Sequence, residues 1–235
     1  MSPLASEIRE RLAAVRARIA AAAQRANRDP EEVRVLAVSK TFPASTILAT
    51  VEAGLFQFGE NRVQEAARKV PPVRDASPHA LEFHLIGSLQ RNKARRAAEL
   101  FDVIHSVYRP ELARSLNRAA AELGRRLQVM IQVNIDAETQ KGGVEPSAAP
   151  SLAELIGVLP QLDATGLMAI PAAQPNAEIA RKSFSRLRRL HEQLKLDHPG
   201  LRELSMGMSA DFEVAIEEGA TWIRIGTGLF GPRTP

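Results

Sequence analysis

In "RVLAVSK" (34–40) a short apolar run, Val35 to Val38, delivers a lysine at its end. Lysine is scarce here, since only six of the 31 basic residues are Lys (40, 69, 93, 141, 182 and 195). An ammonium at the end of a buried strand loses solvation, its pKa falls, and it becomes a nucleophile suited to imine formation with a carbonyl. A lysine that reaches solvent or pairs with Glu60 suits the position equally, and position alone leaves both open. Two later segments carry anion-binding features. In "LSMGMSADFEVAI" (204–216) a strand ends in small turns, and Ser209 is expected to cap a helix over 209–218 whose first N–H groups face an anion. In "WIRIGTGLFG" (222–231) the last strand ends in Gly226-Thr227-Gly228, where backbone N–H groups can approach phosphate and the Ser209 and Thr227 hydroxyls add donors. A plain cap and a plain turn account for each segment by itself; their joint position favours phosphate. On the same strand Trp222, Arg224 and Gly226 share one face and Ile223 and Ile225 the other. With the isoleucines outward, Arg224 points inward and needs an acceptor, either a carboxylate or a ligand heteroatom.

The elements that must position these residues follow from periodicity. Residues 3–27 form an amphipathic helix, with Ile8, Leu12, Val15 and Ile19 on one face. From there short apolar or β-rich runs alternate with helical segments. The expected strands are 34–39, 56–60, 81–87, 102–107, 128–135, 162–170, 201–206 and 222–227. Helices are expected over 43–53, 110–123, 176–196 and 209–218, most opening near proline or serine and closing at glycine. Such alternation implies parallel strands with right-handed crossovers, and eight strands close a (β/α)8 TIM-type barrel as one domain, 1–235. No helix is expected after the eighth strand, so the N-terminal helix is expected to cover that gap. In this fold the chemistry lies at the C-terminal strand ends, which here supply Lys40, Asn61, His84 to Gly87, Ser106, Asn134, Met168 to Ile170, Ser205 to Gly207 and Arg224 to Thr227.

Composition narrows the classes. The absence of cysteine excludes disulfides and thiolate chemistry, and with no secretory features a cytoplasmic location is expected. The apolar runs fall short of the ~18–20 residues that span a bilayer, and the charged N-terminus does not resemble a signal peptide. The net charge of +4 admits a polyanion partner. Its densest stretches, "QRNKARR" (90–96) and "RKSFSRLRRLHEQLK" (181–195), read as solvated helix faces, and aromatics for base stacking are few, so nucleic acid is not expected. "HEQLK" (191–195) lacks the second histidine of a zinc helix, no metal-ligand spacing recurs, and His84 and His105 are expected as core or rim residues. Gly226 to Gly231 match G-x-G-x-x-G, but that motif must open a helix inside a βαβ unit, whereas here it follows the last strand. An imine-forming lysine, a phosphate cradle and an inward arginine together point to pyridoxal phosphate.

The runs "LAVSKTFP", "FGENRVQEA", "FHLIGSLQRNK", "IHSV", "IQVNI", "GLMAI" and "LSMGMSADFEVAIEEGATWIRIGTGLFGPR" extend this, from about residue 33 to 233. In these the chain closely resembles the pyridoxal phosphate homeostasis proteins, whose barrel is that of the alanine racemase N-terminal domain. The resemblance implies that Lys40 holds the cofactor as an imine and that Arg224 donates to the pyridine nitrogen. It implies further that Ser209, Gly226 and Thr227 bind phosphate and that Asn61 lies close to the ring. Ser88, Ile135-Asp136 and Ala169 depart from the family's commoner residues and are expected near the mouth, where they could alter its lining.

An arginine does not readily protonate the ring nitrogen, which makes the ring a poor electron sink and disfavours carbanion chemistry. Racemisation needs a second acid/base opposite the lysine. In racemases a tyrosine of another domain supplies it; here the one tyrosine is Tyr108, just past strand four, and no second domain is expected. The implied role is therefore binding, buffering and delivering pyridoxal phosphate, with no catalytic residues, pyridoxal-phosphate-requiring apoenzymes as partners, and a monomer or weak dimer. An amino-acid racemase and a cofactor-free Schiff-base aldolase are the alternatives.

Overall fold

The computed structural model describes residues 2–138, 140–172 and 176–231. Met1 and 232–235, the ends of the expected domain, lie outside them. Eight parallel strands close into a barrel in chain order, β1 (Arg34–Val38), β2 (Gln57–Glu60), β3 (Glu82–Leu85), β4 (Val103–Val107), β5 (Leu127–Gln132), β6 (Leu162–Met168), β7 (Glu203–Met208) and β8 (Trp222–Ile225). β1 pairs with β8, Leu36 opposite Arg224, which completes the ring. The expected eight strands are all present, with ends shifted by up to a few residues.

Alternation along each strand builds two cores. Leu36, Val38, Ile86, Val103, Met130, Met168 and Trp222 fill the barrel interior. Val35, Ala37, Ile104, Val129, Ile131, Ile223 and Ile225 pack outward against the helices. Arg224 therefore points inward, as the period-two pattern of "WIRI" requires.

The helices are α1 (Pro3–Arg25), α2 (Ala44–Glu52), α3 (Val63–Ala76), α4 (Ala94–Leu100), α5 (Pro110–Glu122), α6 (Ala149–Gly157), α7 (Ala177–Asp197), α8 (Phe212–Glu217) and α9 (Thr227–Phe230). α1 is capped by Ser2, whose hydroxyl accepts from the Ala5 N–H at 3.3 Å. It packs on α2, α8 and α9, closing the gap beside β8 as expected. After β8, where no helix is expected, the chain makes one turn of α9.

The helix expected over 209–218 is shorter and starts later. Its cap position is Asp211, not Ser209, and it runs from Phe212 to Glu217. Gly207, at φ +89°, turns the chain at the end of β7 in the left-handed region that glycine tolerates. Asp211 then closes the next turn by accepting from the Met208 N–H at 2.6 Å. Ser209 is left outside the helix and free to face the barrel mouth.

Candidate functional site

A cavity of about 510 Å³ opens at the C-terminal ends of the strands, within the size range of small-molecule sites. Lys40, Asn61, Ser209, Arg224, Gly226 and Thr227 all line it, so the six residues expected from the sequence share one site. Val38, Phe42, Ile86 and Ile170 supply apolar walls, and Gln132 and Ser88 add polar groups.

Lys40 sits in the turn that leaves β1, and the next residue, Thr41, takes φ 70°. That left-handed conformation is strained for a β-branched residue and must be imposed by neighbours. α3 imposes it. The Glu65 carboxylate accepts from the Thr41 N–H at 2.6 Å. Lys69 Nζ donates to the carbonyls of Ser39 (3.0 Å) and Phe42 (3.2 Å), which bracket Lys40 and Thr41. The same ammonium lies 2.7 Å from Glu60 Oε1 and 2.7 Å from Glu65 Oε1, and Ser39 Oγ donates to Glu60 Oε1 at 2.7 Å. Glu60 is completely buried. Burial pushes its carboxyl above the ordinary range, and the Lys69 and Ser39 hydrogen bonds work against that push. Partial burial acts on Glu65 the same way, yet its hydrogen bonds from Lys69 and Thr41 hold it below the ordinary range. A carboxylate–ammonium–carboxylate set, buried at Glu60 and Lys69 and partly exposed at Glu65, thus fixes the turn that carries Lys40.

Arg224 crosses the barrel interior with 3% of its surface exposed. Nη1 donates to Ser205 O (2.8 Å) and Ser205 Oγ (2.9 Å), and Nη2 donates to Ala169 O (2.9 Å). Among the described residues no carboxylate lies within ion-pair distance of it. Burial lowers its pKa to about 10, with Asp211 acting in the opposite sense, so it remains a cation at neutral pH. Of its five N–H groups, these bonds use three, which leaves donors for an acceptor in the cavity. The β7–α8 and β8–α9 turns also border the cavity, joined by a bond of 3.4 Å from the Gly228 N–H to Ser209 Oγ. Gly87 completes the floor beside Asn61: a Cβ there would stand 2.1 Å from the Asn61 carbonyl oxygen, so only glycine fits.

The donor set has the complementarity of pyridoxal phosphate. An amine faces the cavity for an aldehyde, and a donor-only guanidinium faces it for an unprotonated ring nitrogen. A hydroxyl-lined glycine turn is suited to phosphate.

The family model for the alanine racemase N-terminal domain matches residues 11–234. The chain belongs to that family. A Pseudomonas aeruginosa member named pyridoxal phosphate homeostasis protein is 48% identical over 97% of this chain and 96% of its own. The structure of PipY from Synechococcus elongatus, with PLP bound, superposes at a TM-score of 0.83 and 41% identity, covering 95% of this chain and all of that one. Alanine racemase of Clostridium difficile shares the fold at a TM-score of 0.73 and 16% identity. It covers 98% of this chain, which spans 58% of that one.

Of the four departures from family usage, only Ser88 lines the cavity. Ala169 meets Arg224 through its backbone carbonyl, which any residue supplies. Ile135 is in the core. Asp136 accepts from Ser183 Oγ (2.6 Å) and the Ala172 N–H (2.9 Å), bracing the chain after β6 against α7. Tyr108 does not line the cavity; its hydroxyl accepts from Arg109 at 2.8 Å. Sequence reasoning placed Ser205 among the strand-end residues without a role and passed over Gln132 and the part played by Lys69. Only Lys69 carried a signal, four residues after Glu65 on one helix face.

Proposed function

We propose that this protein binds pyridoxal phosphate at the barrel mouth and serves the intracellular homeostasis of that cofactor, holding and releasing it without robust turnover of a substrate. The observation that carries this is the meeting of Lys40, Arg224 and the 226–228 turn in one cavity. Pyridoxal phosphate supplies an aldehyde that condenses reversibly with an amine. Lys40 is the amine, Arg224 the partner of the ring nitrogen, and Ser209, Gly226 and Thr227 the phosphate cradle, with Asn61 beside the ring. The names of the relatives and the bound PLP in PipY support the same assignment.

Carriage fits the site better than racemisation. Arg224, neutralised by no adjacent carboxylate, leaves the ring nitrogen unprotonated, so electron withdrawal from a substrate carbon is weak. Two-sided proton transfer needs an acid/base facing the lysine, and Tyr108 is engaged elsewhere. The recipients on this reading are apoenzymes that require the cofactor, and the location is cytoplasmic. No helix among the described residues is long and apolar enough to cross a membrane.

The test is to load the protein with pyridoxal phosphate, remove free cofactor, and add an apoenzyme that requires it, while assaying the loaded protein with L- and D-alanine. Restoration of apoenzyme activity with no interconversion of the enantiomers is expected. Steady interconversion would replace carriage by racemisation, and failure to retain any cofactor would overturn both.

A further inference from the structure

Below the site, the barrel interior is not wholly apolar. Ser205 Oγ, which accepts from Arg224, lies 3.0 Å from His105 Nδ1. His105 Nε2 lies 2.7 Å from His84 Nδ1, and His84 Nε2 lies 3.2 Å from Glu82 Oε1. His84, His105 and Ser205 are completely buried. Glu82 begins β3 and lines a second cavity of about 220 Å³ at the opposite end of the barrel, beneath the His84 and Trp222 rings. A continuous polar line therefore joins the base of the barrel to the guanidinium at its mouth.

A line between a donor-only guanidinium and a carboxylate, joined through a hydroxyl and neutral imidazoles, is consistent with one direction. Arg224 can only donate, so Ser205 Oγ accepts from it and its own proton is available to His105 Nδ1. His105 then carries its proton on Nε2 and donates to His84 Nδ1. His84 in turn carries its proton on Nε2, which lies 3.2 Å from Glu82 Oε1, within ion-pair distance but without the alignment of a hydrogen bond. From Arg224 through Ser205 and His105 to His84 the donors share one sense, toward the anion, the arrangement in which each bond polarises the next favourably. The electrostatics agree. Burial and the neighbouring His84 and Arg224 keep His105 neutral well below the ordinary histidine range. The His84 ring, with Arg34 nearby, holds Glu82 below the ordinary carboxylate range despite its burial. The other charged groups lining the cavity beside His84 are Arg34, which opens β1 and lies over the Trp222 ring, Asp163 on β6, Arg202 just before β7 and Glu203 at its start.

We infer that Ser205, His105, His84 and Glu82 are positioning residues for Arg224, a directional chain that orients the guanidinium and conveys to it the charge at the base of the barrel. Beside Asp211, whose charge acts on the guanidinium directly, the chain gives this buried arginine a second, remote anion at the far end of a line of dipoles. It rests on the assignment of Arg224 to the cofactor's ring nitrogen, and it adds a second place, remote from the mouth, from which the bound cofactor is tuned.

Two measurements test it. In the unloaded protein with nitrogen-15-labelled histidine, NMR at pH 7 should show His105 neutral with the proton on Nε2. A proton on His105 Nδ1, or a charged His105, overturns the chain without reference to any cofactor. In the loaded protein, Glu82→Gln should lower the pH midpoint of the cofactor's absorption band by at least about 0.3 unit, because a negative charge coupled to the site has gone. Ser205→Ala, which removes the hydroxyl link and little volume, should abolish most of that shift when combined with Glu82→Gln. An unchanged midpoint in Glu82→Gln, or the same shift with and without Ser205, overturns the proposal. If the wild-type protein acquires no band on addition of pyridoxal phosphate, the cofactor assignment fails instead, and the histidine protonation pattern alone decides the chain.

Discussion

Replacing Lys69 by methionine keeps most of the side-chain volume and removes the ammonium that binds α3 to the Lys40 turn. Lys69 is 9% exposed and Glu60 fully buried. The substitution strips Glu60 of the cation at 2.7 Å and removes the Nζ donor from the Phe42 carbonyl and from the Ser39 carbonyl, which keeps only the Phe42 N–H at 3.1 Å. Breaking one side of a buried pair costs about 3–5 kcal/mol. The Glu65 contact adds little, because Glu65 is partly exposed. A loss of ~3 kcal/mol at pH 8 is expected, or roughly 6–12 °C in Tm for a chain of this size.

The sign of the pH dependence is fixed by Glu60. Burial already raises its carboxyl, and Lys69 is the main force lowering it, so in the variant its folded pKa lies still further above the unfolded value. Such a group favours the folded state fully below the unfolded value, and that contribution is lost as pH rises through the folded pKa. The deficit measured by urea unfolding should therefore be large at pH 8 and clearly smaller at pH 5. Adding Glu60→Gln to Lys69→Met should recover a substantial part of the loss, since no charge is then stranded. A deficit equal at both pH values, with no recovery in the double variant, would refute the role assigned to this buried set.

His105 and His191 are both kept neutral chiefly by burial, with folded pKa values below the ordinary histidine range. Their contribution to stability is present above about pH 6.5 and lost as pH falls toward the folded values, at about 1.4 kcal/mol per pH unit for each. Urea unfolding between pH 7 and 5 should show that slope, and His191→Gln should reduce it by one proton. Gly87→Ala would drive a Cβ to 2.1 Å from the Asn61 carbonyl; a loss of about 2–4 kcal/mol in urea unfolding is expected, with weakened cofactor retention. Lys40→Ala should abolish the covalent attachment yet keep measurable binding through the phosphate cradle, as equilibrium dialysis with pyridoxal phosphate would show.

Much of the fold was legible because strand alternation is a local property: "RVLAV" and "WIRI" announce both their faces and the inward Arg224. The elements that escaped are those where tertiary packing overrides local preference. α3 contains Pro71 and Pro72, residues that ordinarily break a helix, and its apolar face of Val63, Ala66, Val70 and Val73 holds it against the barrel. Ser209 and Asp211 are both good helix caps two residues apart, and only the turn at Gly207 decides between them. Lys40 and Arg224 stand out by residue type at a strand end. The line from His84 to Ser205 does not, because its members come from β3, β4 and β7 and meet only once the barrel closes.

Borohydride reduction of the protein after incubation with pyridoxal phosphate, followed by mass mapping of its peptides, tests the assignment of the site most directly. A phosphopyridoxyl group on the peptide carrying Lys40, absent from the Lys40→Ala variant, is the expected result. An unmodified Lys40, or modification spread over surface lysines such as Lys182 and Lys195, would contradict it.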